Sequence, residues 1–227
     1  MNPVLEHEAD DAVGFVLAGG QSNRMGTDKA LIELNGEPLV AHALNILRSA
    51  RLTATIAGAR SDLSQYAPLI DDAGLGPLGG ICAALASTSA EFAVFLSIDM
   101  PLLPPSFISV LLQHARLTQS AVTVPSVNGF AQTFPAVIKG AVFPALEFEM
   151  NSGNDGCFPA FLAAAAHLDE PFTVVAVENY VQAGQLEHPA DLPSAFWFLN
   201  VNTPADLVRA QKIVAGDRRI RSPKPIA

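Results

Sequence analysis

Cysteine is almost absent from this chain of 227 residues: Cys82 and Cys157 are the only two. They form neither a metal-ligand spacing nor a disulfide framework, which excludes a disulfide-stapled scaffold and fits a reduced, cytoplasmic setting. Cations are also scarce. Thirteen Lys and Arg face 22 Asp and Glu, for a net charge of −9. A protein that neutralises a nucleic-acid backbone needs a basic face, so that function class is excluded. Long apolar runs are missing too. The most apolar stretches, Ile81–Leu103 and Phe158–Val177, are broken by Asp99, Pro101, Asp169, Glu170 and Pro171. Neither supplies the run of about 18 apolar residues that a membrane span requires. The first dozen residues are acidic and lack the basic start and apolar centre of a signal peptide. Five histidines (His7, His42, His114, His167 and His188) are scattered and suggest no constellation.

What is present is a large apolar fraction, 50% of the chain, enough for a sizeable core. At about 150 residues per domain the length fits one domain. We expect it to span residues 13–215, between disordered tails: acidic over 1–12, and rich in Arg, Lys and Pro over 216–227. The cations are uneven as well as few. Arg24 and Lys29 are the only ones before Arg48, and six of the thirteen lie from Arg209 onward. A phosphate ligand would therefore be held mainly by backbone N–H groups, a metal ion and one or two chosen cations.

Apolar runs bounded by turn residues alternate with helical patterns. Strands are predicted at Gly14–Ala18, Thr53–Ala57, Phe92–Ile98, Ser120–Val124, Pro135–Ile138, Thr173–Val177 and Phe196–Leu199. Helices are predicted at Pro38–Ala50, Gly80–Thr88, Pro105–Leu117, Val142–Glu149, Phe158–His167 and Thr203–Val214. The last has a clear start, with Thr203 as cap, Pro204 next and Asp206 three residues on. This rhythm predicts an α/β fold, a mostly parallel sheet with helices on both faces.

Four segments carry chemistry. The first strand runs into Leu17-Ala18-Gly19-Gly20-Gln21-Ser22-Asn23-Arg24-Met25-Gly26-Thr27-Asp28-Lys29-Ala30. Glycines after a buried strand let the backbone approach a ligand and aim N–H groups at it, while Arg24 and Lys29 add charge suited to a triphosphate. Neither G-x-G-x-x-G nor a P-loop can be read there. Asp99 follows the strongest strand, at the strand end where open α/β sheets bind ligands. It is the best candidate for a Mg²⁺ ligand, since that ion is usually held by one or two carboxylates plus phosphate oxygens. A turn Asp before Pro101 is an equally simple reading. In the third segment, Asp71 or Asp72 would bind a base edge or a ribose hydroxyl; the following Gly74, Gly76, Gly79 and Gly80 also read as a turn and helix entry. In the fourth, Asn200-Val201-Asn202-Thr203-Pro204, a cap and its flanking Asn explain the pattern without a ligand.

Taken together, L-A-G-G-x-S-x-R-M-G-x-D-K-A, G-P-L-x-G-I, D-x-P-x-L-P and N-V-N-T-P resemble the molybdenum cofactor guanylyltransferase family, in order, from about Gly14 to about Gln211. The resemblance implies a Rossmann-like, glycosyltransferase-A-like nucleotidyltransferase fold. It also implies transfer of GMP from GTP to the terminal phosphate of the molybdenum cofactor, Mo-molybdopterin, with release of pyrophosphate. By the same resemblance the backbone at Leu17, Ala18, Gly19 and Gly20 would contact the nucleotide and Lys29 its phosphates. Asp72, with Asp71 as close competitor, would contact the guanosine. Asp99 would ligate Mg²⁺, Arg24 would stabilise the leaving pyrophosphate, and Asn202 joins the nucleotide site. Arg24, Lys29 and Asp99 form the catalytic set. Proteins of cofactor biosynthesis or molybdoenzyme maturation are the partners implied. Two positions depart from the family pattern. Ala57-Gly58-Ala59 replaces Asn-x-Asn, and Ser152-Gly153-Asn154-Asp155-Gly156 lacks a basic pair. A cytidylyltransferase acting on the same cofactor, a non-catalytic nucleotide-binding or delivery protein, and an oxidoreductase are the competing readings.

Overall fold

The computed structural model describes residues 11–19, 28–58, 60–72, 74–154 and 156–216. Strand β1 (Ala12–Leu17) precedes a hairpin, β2 (Glu33–Leu34) and β3 (Glu37–Pro38), which leads into helix α1 (Leu39–Ser49). There follow β4 (Ala54–Ala57), β5 (Leu69–Ile70), α2 (Gly76–Ala86), β6 (Phe92–Ser97) and α3 (Pro105–Thr118). The second half contains β7 (Val122–Val127), β8 (Phe130–Ala131), β9 (Ala136–Lys139), α4 (Phe143–Asn151), α5 (Cys157–Leu168) and β10 (Phe172–Ala176). Helices α6 (Val177–Gln182), α7 (Ser194–Trp197) and α8 (Pro204–Val214) complete the described chain.

The main sheet runs β10-β7-β9-β6-β1-β4-β5, with β8 paired to β7. The pairs β1–β4, β1–β6, β4–β5 and β7–β10 are parallel, whereas β9 runs antiparallel to both β6 and β7. The expected mostly parallel sheet is therefore present. The period-two alternation of strands places its two faces in different cores. Val16, Val94 and Leu96 pack with Leu44 and Leu47 of α1 and Phe107 and Leu111 of α3 on one side. Phe15, Leu17 and Phe95 pack with Ile81 and Leu85 of α2 and Phe161 of α5 on the other. Because both faces are covered, β1 and β6 are nearly continuous apolar runs.

A third cluster has a different task. Leu34 of the hairpin, Leu39 of α1, Leu102, Val201 and Ala210 and Ile213 of α8 pack together. This docks the C-terminal helix beside the segment that follows β6. The capping box at Thr203 is formed, with Asp206 N–H donating to the Thr203 hydroxyl and Thr203 N–H donating to the Asp206 carboxylate.

Some boundaries differ from expectation. Ala12 is buried in β1 and Asp11 is ion-paired to Arg116, so these two residues of the expected acidic tail belong with the sheet. The remainder of both expected tails, 1–10 and 217–227, lies outside the described residues. The expected strand at Phe196–Leu199 is not formed: Phe196 and Trp197 lie in the helical turn α7, and Phe198 and Leu199 follow it without strand pairing. Phe196, Trp197 and Leu199 are all buried, and the Trp197 indole donates to the Leu192 carbonyl at 2.7 Å. A short apolar run buried on every side has no periodicity to separate a strand from a helical turn. Helix α2 begins at Gly76, four residues before the expected start, with Pro77 in its first turn. Gly79 and Gly80 are thus helical rather than entry-loop residues.

Candidate active site

The carboxyl ends of β1, β4 and β6 are adjacent, since Leu17 lies in register with Ala57 and with Ser97. The chain that leaves β1 stays close to β4: Ala18 N–H donates to the Ala57 carbonyl at 3.0 Å. A recess opens at this edge, lined by Leu17, Gly19, Ala57, Asp72, Gly76, Pro77, Gly80, Ser97 and Phe134. Its walls explain two glycines. A Cβ on Gly19 would stand 2.7 Å from Asp72 Oδ2, and one on Gly58, at φ +152°, would stand 3.0 Å from the Gly19 nitrogen. Glycine at both positions lets the β1 end, the β4 end and a carboxylate crowd into one corner.

The two candidate acids are placed differently. Asp72 is 5% exposed, lines the recess, and accepts from Gly74 N–H at 3.0 Å through Oδ1. Asp71 is exposed and is not part of the lining. The Asp72 carboxylate is the charged group among the residues that line the recess. It is chemically suited to accept hydrogen bonds from the edge of a ligand.

Beyond Ser97 the chain reaches Asp99, where three distant segments meet. Lys29 Nζ donates to Asp99 Oδ2 at 2.9 Å and to Asn202 Oδ1 at 2.5 Å, across 70 and 173 residues of sequence. The Lys29 and Asp99 side chains are mostly buried, at 14% and 17% exposure. The local folding reasons are clear. Asp28 caps the single 3₁₀ turn Lys29–Leu31 by accepting from Ala30 N–H at 3.0 Å. Val201 N–H donates to the Asp99 carbonyl at 2.8 Å, fixing the Asn200–Asn202 segment alongside. Asn202 N–H in turn donates to Asp206 at 3.1 Å, so the capping box also holds the Asn202 backbone. The cap explanation for this motif is satisfied, and the Asn202 side chain in addition meets Lys29.

Two oxygens, one from Asp99 and one from Asn202, face a single cation here. This hard-oxygen donor set fits a divalent metal ion that also takes phosphate oxygens. Among the described residues no group of three or more His, Cys, Asp or Glu side chains gathers into a self-sufficient metal site.

Of the other residues expected at the site, Gly20 and Arg24 lie outside the described residues. Leu17, Ala18, Gly19, Lys29, Asp72, Asp99 and Asn202 are all at this edge of the sheet. Ser97, Phe134 and the first turn of α2 were not singled out as site residues. Ser97 carried one weak signal, as the lone polar residue of the strongest strand. Phe134 carried none, because only the antiparallel insertion of β9 beside β6 brings the segment before it to this edge.

Cysteine nucleophiles are not part of the arrangement. Burial pushes the thiols of Cys82 and Cys157 up to about 11, so both remain protonated at neutral pH. No helix among the described residues is long and apolar enough to cross a membrane.

Comparison with known proteins gives this geometry its setting. The family described as the MobA-like NTP transferase domain matches residues 14–177. A protein of Pelotomaculum thermopropionicum named as a probable molybdenum cofactor guanylyltransferase is 30% identical over 91% of this chain and 95% of its own. The molybdenum cofactor guanylyltransferase of Vibrio cholerae is 31% identical over 89% and 92%. Among solved structures, molybdopterin-guanine dinucleotide biosynthesis protein A of Archaeoglobus fulgidus superposes with a TM-score of 0.72 at 23% identity, covering 89% of this chain and 98% of that one. The 2-C-methyl-D-erythritol 4-phosphate cytidylyltransferase of Thermus thermophilus shares the fold at a TM-score of 0.64 and 15% identity, covering 89% and 98%.

Proposed function

The chain belongs to the family of MobA-like NTP transferases, and on that premise we propose that it transfers GMP from GTP to Mo-molybdopterin, giving the guanine dinucleotide form of the cofactor and pyrophosphate. The observation that carries this reading is the meeting of Lys29, Asp99 and Asn202 beside the recess that holds Asp72. It supplies a cation and a hard-oxygen pair next to a pocket with one buried carboxylate.

In the reaction, a terminal phosphate oxygen of the acceptor attacks the α-phosphorus of GTP. The new P–O bond forms as the bond from the α-phosphorus to its bridging oxygen breaks, and pyrophosphate departs with the electron pair. The attacking oxygen is already anionic near neutral pH, so no general base is needed. The chain's task is positioning and charge compensation. Asp72 accepts hydrogen bonds from the guanine edge or ribose. Gly19 and Gly58 keep the wall close enough for the backbone to approach the nucleotide. Lys29 turns from its resting contacts toward the β- and γ-phosphates, and Arg24 adds charge where the pyrophosphate leaves. Asp99 and Asn202 would hold Mg²⁺, which when bound screens repulsion between two polyanions and orients the α-phosphate. At the departure from Asn-x-Asn, Ala57 lines the recess. Its position is occupied by a small side chain, and the neighbouring Gly58 closes onto Gly19.

The test is pyrophosphate release with GTP, CTP and ATP, each with Mg²⁺, in the presence and absence of Mo-molybdopterin. Release that requires both GTP and the acceptor is expected. Release with CTP alone among the three would identify a cytidylyltransferase, and no release with any nucleotide would leave a binding protein.

A further inference from the structure

Arg60 was not among the candidates for the site, yet it reaches the foot of the glycine loop from the opposite strand. It follows β4 and precedes the 3₁₀ turn Ser61–Leu63. Its Nε and Nη2 donate to the two oxygens of Asp62 at 3.0 and 2.7 Å, a bidentate pair that fixes the plane of the guanidinium. The same Nη2 also forms an ion pair with Asp28 Oδ2. The other oxygen of Asp28 is the one that caps the turn beginning at Lys29. One carboxylate thus joins Arg60 to the residue whose ammonium reaches Asp99 and Asn202. The hydrogen bond that Arg60 donates to Asp62, with further help from Asp28, holds the guanidinium even more firmly protonated than usual, against the opposing effect of partial burial.

With two carboxylates on one guanidinium, Arg60 is not a free cation for a phosphate. Its chemistry is that of a clamp. Asp28 is the last residue before Lys29, and its position decides where the Lys29 backbone starts and hence what its side chain can reach. We propose that Arg60 is a positioning residue for Lys29, acting through Asp28 to hold the end of the glycine loop against the end of β4. This rests on the reading of Lys29 as a contact for the β- and γ-phosphates.

The experiment measures equilibrium binding of GTP and GMP, each with Mg²⁺, to the full-length wild type, Arg60→Ala, Arg60→Lys, Asp28→Asn, Lys29→Ala and the double variant Arg60→Ala/Lys29→Ala. The quantity read is the ratio of GTP to GMP affinity. Arg60→Ala should lower that ratio roughly tenfold, the scale on which loss of an orienting partner acts. Asp28→Asn, which keeps an oxygen for the cap, should match it, and Arg60→Lys should recover part of the loss through a single ion pair. In the Lys29→Ala background, Arg60→Ala should change nothing further. Melting temperatures should stay near that of the wild type, because exposed ion pairs contribute little to stability. A wild-type ratio in Arg60→Ala, or losses that add in the double variant, would overturn the proposal. A wild-type ratio in Lys29→Ala would instead overturn the reading of Lys29 itself, and the proposal with it.

Discussion

The two halves of the sheet's carboxyl edge are built differently. The half formed by β1, β4, β5 and β6 presents Asp72, Asp99 and Lys29, with Asn202 delivered from the segment that leads into α8. Among the described residues the half formed by β7, β9 and β10 presents Phe134, and its two cations are turned away. Lys139 pairs with Glu170 and lies in register with Phe92, the first residue of β6. Arg116 pairs with Asp11, the residue before β1. Both therefore sit at the amino edge, a strand's length from the recess. The difference teaches that, among the described residues, the charged and amide side chains of this edge are concentrated on one half. On the proposed function that half takes GTP, and the other half offers the acceptor shape and backbone groups more than charge. In a chain with a net charge of −9, such a concentration is what polyanion chemistry would require.

The contrast yields graded expectations. Asp99→Asn removes the charged partner of Lys29 and, on the proposed function, a charged ligand of the metal ion. Turnover should fall by about 10²–10³-fold, the scale of losing one preorganised electrostatic contact. Pyrophosphate release under saturating GTP checks this, and near-normal turnover would break the assignment. Gly19→Ala places a Cβ 2.7 Å from Asp72 Oδ2. The buried carboxylate must shift, so GTP affinity should drop and stability should fall by about 1–3 kcal/mol, the usual cost of overpacking. Calorimetric titration together with a melting curve separates the two effects.

A smaller effect concerns His188, which ties the segment after Asp99 to the C-terminal region. Its Nε2–H donates to the Leu102 carbonyl at 3.1 Å, while Nδ1 accepts from Ala190 N–H at 3.0 Å. Burial lowers its pKa below the ordinary 6.5, with the Leu102 carbonyl opposing. Protonating Nδ1 would also remove an acceptor that is in use. The folded state therefore binds fewer protons than the unfolded state in this window. Stability is full above pH 6.5 and declines as pH falls through 6.5 toward the lower folded value. His188→Gln should flatten this part of the melting-temperature profile. An unchanged slope between pH 7.5 and 5.5 would show that other groups produce it.

The smallest effect is expected at Lys139. Lys139→Ala breaks a partly exposed ion pair at the wrong edge for catalysis. Stability should change by at most about 1 kcal/mol and the acceptor KM not at all. A raised KM would mean that the acceptor half is more charged in use than it looks, and would sharpen the contrast in the opposite direction.

Much of the half that carries Asp72 and Asp99 was legible beforehand because its information is local. Glycines directly after a buried strand, an Asp directly after another, and Thr203 with Asp206 three residues on each specify a backbone shape within a few positions. The same locality set limits. Asp71 and Asp72 are neighbours of identical type, and only the tertiary packing, which sets Gly19 against Asp72, separates their placement. The Asn200–Asn202 segment read mainly as a cap flank, because the contact with Lys29 spans 173 residues. Arg60 gave no signal, since its meaning depends on β4 lying beside β1.

By itself, then, the chain's order of apolar and turn residues determined the parallel α/β layers, and its glycine loop, Asp99 and capping box determined what chemistry was on offer. The tertiary structure alone decided which residues share a corner. A parallel sheet pairs strands that are far apart in sequence and aligns their carboxyl ends. Side chains at positions 29, 72, 99 and 202 become neighbours through that pairing, and no local pattern encodes the distance between them.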